Sequence, residues 1–309
     1  MAPNQTLGRA HGKVVLLGEH AVVHGVPALA ASVGRGASAT ARPADVPSLC
    51  IIDASDHATD KASEPRSIDA NAELLRAFRA LCDATGVCAS AEVRIDVPLG
   101  AGLGSSASLG VALARALLSL RGTAFDDEQG VEVASAWERV FHGNPSGVDV
   151  AVATYGGCIA FSRSEGVRRL SLKEPVPLCI GDTGTRSSTR AMVQRVGELL
   201  RQHKDDGRGV LDGIRACVCA ARDPLMAGNW HDVAAAMNEN QRWLGSLGLN
   251  TVDSDVLCGV AMSAGALGAK LTGAGGGGCV IALAPGRREE VVRAWRLAGY
   301  GGFVADAGN

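Results

Sequence analysis

Net charge is nearly absent from this chain. Its 309 residues hold 30 Lys and Arg against 32 Asp and Glu, a formal balance of -2 at pH 7. That leaves no electrostatic footprint for nucleic acid or an anionic membrane surface. Cysteine pairing is absent as well: nine cysteines are scattered, no CxxC occurs, and the nearest approach is Cys217 and Cys219. An odd, dispersed set argues against a disulfide scaffold and for reduced thiols, most of them buried as small hydrophobes. The N-terminal MAPNQTLGRAHGK lacks an apolar signal core, and no uncharged apolar run reaches about 18 residues, so a soluble, cytoplasmic protein is expected. No internal repeat is visible.

Glycine is the excess. Forty of 309 residues is about 13%, against a usual ~7%. These glycines cluster between apolar runs without a G-X-Y period, which points to close approach of backbone to a ligand. The length exceeds one typical core and suits two domains.

Apolar spacing predicts a buried strand opening at Lys13 and broken by a polar turn, with further strand material over 39–55. A polar loop at 56–67 and a helix closed by Gly86 follow. AEVRIDV (91–97) alternates as a strand and leads through PLGAGLGSSASLG into a helix with Leu109, Leu113, Ala116, Leu117 and Leu120 on one face. A second helix over 126–143 has Asp126 as N-cap. It runs into an NPSG turn, from which VDVAVATYGGCIAFS heads towards another strand. The remainder reads as a strand at PLCIGDT, helices from Ser187 or Ser188, over 208–221, 230–245 and 253–265, a strand–glycine turn–strand at AKLTGAGGGGCVIALAP, and a final helix. The mixture is α+β in two halves.

Three stretches carry chemistry. In the first, Gly100, Gly102 and Gly104 remove side chains where an anion would touch backbone, and Ser105 and Ser106 open the following helix. Such a turn suits phosphate, although no GK[ST] ends it, so it is not a Walker loop. The second, KLTGAGGGG, holds GxGxxG at Gly273, Gly275 and Gly278. A strand follows where a Rossmann loop would open a helix, so a second backbone wall against a ligand is the better reading. In the third, Glu138 and Asp149 flank the NPSG turn, which can bring two carboxylates into one cleft, one for a metal and one for a hydroxyl proton. Lys13 opens an apolar run, either snorkelling or paired with an anion. Glu19 and His20 suit polar contacts to a substrate better than zinc, for which further ligands are lacking.

GKVVLLGEHAVVHGVPALA, PLGAGLGSSAS and KLTGAGGGGC together resemble the three motifs of the GHMP kinases, and the resemblance extends over nearly the whole chain. Within that family GEHAVVHG, ERVFHGNPSGVD and KLTGAGGGGC are most similar to the mevalonate-phosphorylating branch; another small alcohol (phosphomevalonate, homoserine or a sugar) is the alternative acceptor. The resemblance implies an N-terminal domain like ribosomal protein S5 domain 2 over 1–175 and a ferredoxin-like domain over 176–309. It also implies ATP and Mg²⁺, with a homodimer as a family-level expectation. By position, Ser106 and Glu138 match the Mg²⁺ ligands, Asp149 the general base and Lys13 the lysine beside it. Gly100, Ala101, Gly102, Leu103, Gly104, Ser105, Ser106, Ala107 and Ser108 match the phosphate loop, Gly275 the nucleotide side of the third motif, and Glu19, His20 and Thr183 the acceptor side. One departure is Arg9-Ala10-His11 before Gly12, where the family usually places a proline just before that glycine.

Overall fold

In the computed structural model, residues 5–55, 65–142, 146–202 and 204–309 are described. The chain divides into two compact units. One comprises 1–13, 35–99 and 104–156; the other comprises 14–34, 100–103 and 157–309. Strands β1 (Thr6–Leu17) and β2 (Ala28–Pro43) each run from one unit into the other. The expected loop over 56–67 falls mostly outside the described residues, as do Asn144 and Pro145 of the expected turn.

The first unit is a sheet backed by helices. β3 (Ser48–Asp53) pairs with β4 (Arg66–Asp69) antiparallel and with β5 (Ala89–Ile95) parallel, and β5 pairs antiparallel with β2. Alternation along β5 buries Ala89, Ala91, Val93 and Ile95, the period-2 pattern of a sheet with one covered face. Helices α1 (Ala72–Thr85), α2 (Ser105–Leu120), α3 (Asp127–His142) and α4 (Val148–Tyr155) complete the unit. α1 starts where Asn71 accepts from the Glu73 and Leu74 amides and stops at left-handed Gly86. Asp126 accepts from the Gln129 amide at 3.3 Å, as its N-cap role predicts.

α4 departs from expectation. VDVAVATYGGCIAFS, expected to head towards a strand, becomes one only at CIAFS (158–162), while Val148–Tyr155 is helical with Val148 and Val150–Thr154 buried. Within 148–154 only Asp149, its side chain 41% exposed, keeps access to solvent, so the apolar spacing by itself does not separate helix from strand. β4 was hidden by its brevity and by the polar composition of the stretch before it.

The second unit is built on a four-stranded antiparallel sheet in the order β11-β8-β10-β9. Its strands are β8 (Val176–Asp182), β9 (Gly268–Thr272), β10 (Cys279–Leu283) and β11 (Gly301–Ala307). In chain order that is 4-1-3-2, the ferredoxin-like arrangement. β6 (Cys158–Ser162) and β7 (Gly166–Leu170) form a hairpin, with β6 also on the opening segment of β2. Helices α5 (Thr189–Gln202), α6 (Lys204–Ala227), α7 (Trp230–Ser246), α8 (Val252–Ser263) and α9 (Arg288–Leu297) surround the sheet. One core gathers Cys179, Leu257, Val280, Val291 and Trp295; another gathers Met192, Val196, Ile214, Leu244 and Leu271. β11 has no counterpart in the sequence reading, which ended on α9.

Gly110 shows how the first unit positions its functional helices. A Cβ there would stand 2.8 Å from the Trp137 ring, so glycine lets α3 lie close on α2. Gly110→Ala gains about 1 kcal/mol of helix propensity but overpacks a fully buried tryptophan, at a cost of roughly 1–3 kcal/mol. Urea unfolding is therefore expected to show net destabilisation; a stabilised variant would contradict this packing.

Candidate active site

Four side chains that lie far apart in sequence meet in the first unit. Lys13, on β1, is 3% exposed and its Nζ lies 3.1 Å from Asp149 Oδ1. Asp149 sits in the first turn of α4, where the helix dipole favours a negative charge. Ser106, in the first turn of α2, donates from Oγ to Glu138 Oε1 at 2.5 Å. The Trp137 indole N–H donates to the same Ser106 Oγ at 3.2 Å, so that hydroxyl is held from both sides. The apolar setting of Lys13 thus resolves in favour of pairing with an anion.

Burial governs the electrostatics. Glu138 is 3% exposed, and desolvation pushes its carboxyl up to about 7; the Ser106 hydroxyl opposes this, the negative charge of Asp149 adds to it and Lys13 subtracts. A carboxyl so placed, beside a serine hydroxyl, is a pair of hard oxygen donors. Among the described residues no group of three or more His, Cys, Asp or Glu converges as a metal cage. Two protein oxygens fit Mg²⁺, which commonly keeps water and phosphate oxygens as its remaining ligands.

The glycine loop explains its own composition. Gly104, left-handed at φ 72°, precedes α2 and supplies no capping side chain. A Cβ on it would lie 2.7 Å from Lys13 Cγ, so glycine there also makes room for the lysine stem. Ser108 points elsewhere: its hydroxyl donates to the carbonyls of His11 (2.6 Å) and Gly104 (2.9 Å).

In the second unit the 273–278 turn joins β9 and β10 as a hairpin, the context that speaks against a Rossmann loop. Its glycines meet protein. Cβ atoms at Gly273 and Gly278 would press on the backbone of Gly102 and Ala101, and one at Gly275 on Leu249. The Cys279 amide donates to the Ala101 carbonyl at 3.0 Å, so residues 100–103 lie against this turn backbone to backbone. Ala101 and Leu103 are fully buried.

Glu19 and His20 are also buried. Glu19 accepts from Lys270 Nζ and, at 3.2 Å, from Asn240 Nδ2. His20 Nε2 lies 2.8 Å from the Ala274 carbonyl, which only accepts, so Nε2 carries the proton. Burial lowers the His20 pKa, the Ala274 carbonyl opposes this and His24 adds to it. Thr183 donates to the Gly278 carbonyl at 2.8 Å. Sequence reading passed over Lys270, Asn240 and Trp137. Lys270 did leave a signal, a lone charge inside the apolar strand GAKLT; nothing local marks the other two.

Comparison with known proteins bears on this arrangement. The model for the GHMP kinases N terminal domain matches residues 72–157, and that for the GHMP kinases C terminal matches 221–301. The chain is a GHMP kinase. Mevalonate kinase of Thermococcus onnurineus is 31% identical to this GHMP kinase over 96% of the chain and 94% of the relative. That of Aeropyrum pernix is 34% identical, over 89% and 87%. The L. major mevalonate kinase solved in complex with R-mevalonate superposes with a TM-score of 0.80 at 27% identity, covering 96% of this chain and 92% of that one. Ser106, Glu138 and Asp149 all fall within the N-terminal match, whereas Lys13 precedes it.

Glu138 yields a prediction with a definite sign. Its folded-state pKa of about 7 lies above the ordinary glutamate value of 4.5, so the folded protein binds the extra proton between those values. Stability of the metal-free protein therefore falls as pH rises through that window, by up to about 3 kcal/mol. Glu138→Gln keeps the acceptor for Ser106 without the charge. In thermal unfolding with chelator present it is expected to match wild type near pH 5 and to exceed it by several degrees at pH 8. Equal melting curves at both pH values would refute the buried-charge assignment.

Proposed function

We propose that this GHMP kinase phosphorylates the 5-hydroxyl of mevalonate from ATP, giving 5-phosphomevalonate. The observation that carries the reading is the buried Lys13 held 3.1 Å from Asp149, in the same unit as the Ser106–Glu138 pair. Relatives named mevalonate kinase at 31–34% identity supply the acceptor.

Phosphoryl transfer requires positioning and charge neutralisation more than covalent chemistry. Asp149 accepts the proton of the hydroxyl as the oxygen–phosphorus bond forms and the bond to ADP breaks. Lys13 holds the Asp149 carboxylate in place and offsets negative charge near the reacting oxygen. Residues 100–108, with the uncapped start of α2, bind the triphosphate through backbone N–H groups, and Gly275 belongs to the turn that shapes this loop. Ser106 and Glu138 would hold Mg²⁺, which when bound neutralises phosphate charge. Glu19, His20 and Thr183 serve the acceptor side. The assignment of 1–175 to nucleotide binding and 176–309 to a C-terminal domain, and a cytoplasmic setting, belong to the same reading.

A phosphorylated acceptor would call for additional cations. Arg186 is engaged by both oxygens of Asp182 at 2.7 Å, which favours the unphosphorylated alcohol.

A coupled ADP-release assay with mevalonate, phosphomevalonate, homoserine and galactose tests the substrate. Mevalonate is expected to be turned over best by orders of magnitude, and preference for another alcohol would replace the assignment. Asp149→Asn is expected to lower kcat by about 10²–10⁴-fold while nucleotide binding, followed by calorimetry, is retained. Turnover close to wild type would remove Asp149 as base.

A further inference from the structure

Lys270 is fully buried on β9, and its ammonium donates to Glu19 and to the Leu271 carbonyl. Glu19 is 1% exposed at its side chain, and its other oxygen accepts from Asn240. Asn240 is fully buried too; with its N–H₂ turned to the carboxylate, its Oδ1 finds no donor among the described residues. Stability is a weak reason to keep such a group. Apolar residues of equal volume commonly do as well or better than a buried ion pair, because both charges must be stripped of water.

The pair does specify geometry. Glu19 lies in the turn between β1 and β2, where Gly18 has φ 98° and His20 has φ 57°. Among the described residues His20 is the sole non-glycine with positive φ. Such a backbone persists only when its surroundings over-determine it, and these conformations cluster at working sites. Here β9 and the turn after it supply three clamps. Thr272 Oγ1 accepts from the Val15 amide at 2.9 Å and donates to the Val15 carbonyl at 3.1 Å. Lys270 grips Glu19, and the Ala274 carbonyl accepts from His20 Nε2. With both carboxylate oxygens engaged by protein donors, Glu19 acts through its neighbour.

We infer that Lys270 is a positioning residue for the acceptor: through Glu19 it locks the left-handed turn at His20, so that the ring stays in its Nε2–H form and offers Nδ1 as a hydrogen-bond acceptor to a substrate hydroxyl. This rests on the acceptor-side role proposed for His20. Burial, which lowers the His20 pKa, keeps the ring neutral and Nδ1 unprotonated.

The test combines Lys270→Met with the double variant Glu19→Gln/Lys270→Met. The single variant leaves Glu19 buried without its cation and is expected to melt well below wild type. The double variant, with no buried charge, is expected to regain the wild-type melting temperature. Its KM for mevalonate should rise at least tenfold while KM for ATP stays within twofold. In long-range ¹H–¹⁵N spectra of histidine-labelled protein without substrate, His20, assigned through His20→Gln, should show one Nε2–H form in wild type and a mixture in the double variant. A double variant as unstable as the single one would overturn the inference, since the pair would then serve folding. So would an unchanged acceptor KM. A raised KM with an unaltered His20 spectrum would show that Glu19 touches the acceptor directly, and overturns it as well. The spectra need no acceptor, so wild-type protein inactive on mevalonate would refute the substrate while leaving the tautomer lock to be judged alone.

Discussion

Burial of charge is the constraint on which the first unit turns. Lys13 and Glu138 are each 3% exposed, and removing such groups from water costs several kcal/mol apiece unless partners compensate. Asp149 compensates Lys13 directly. Glu138 has the Ser106 hydroxyl, but two carboxylates face one ammonium, and its pKa climbs to about 7. Negative charge at Asp149 and the loss of water both hold the Glu138 carboxyl back from ionising, and a cation brought beside it would reverse that balance. The second unit solves the same problem differently, by closing Glu19, Lys270 and Asn240 on one another.

Glycine makes the first of these arrangements sterically feasible, and in the second unit it lets loops meet. Gly104 admits the Lys13 stem, Gly110 admits Trp137, and Gly102, Gly273 and Gly278 let two loops touch backbone to backbone. The excess of glycine is thus largely a matter of protein meeting protein. A reading of KLTGAGGGG as a bare wall for a ligand underestimates this, because sequence reports the absence of a side chain but not what occupies the space.

Much of the framework was legible. α1, α2 and α3 follow from 3.6-residue periodicity, with Gly86 as a stop and Asp126 as a cap, whereas the Asn71 cap of α1 emerged only in the structure; the β9–β10 hairpin follows from two apolar runs about a glycine turn. α4 was missed because its nearly continuous apolar run shows no amphipathic period that separates helix from strand, although the strand at CIAFS just beyond it was anticipated. At the candidate site, Lys13, Ser106, Glu138 and Asp149 were singled out through motifs, and the structure pairs Lys13 with Asp149 and Ser106 with Glu138. Trp137 and Asn240 were not, since a buried tryptophan or a helical asparagine looks alike in sequence whether or not its polar atom holds a functional group.

What the sequence determined by itself is the local grammar: which segments coil or extend, which loops lack side chains, and which charged residues stand in apolar surroundings. Only the tertiary structure decided the pairings, Lys13 with Asp149 across 136 positions and Lys270 with Glu19 across 251. The physical reason is that hydrogen bonds and ion pairs act over a few ångströms, and folding alone sets which residues come within that reach. Burial then assigns each contact its consequence. It makes the Glu138 carboxyl hard to ionise, keeps the His20 ring neutral, and turns Lys270 from an anomaly in an apolar strand into the anchor of a strained turn.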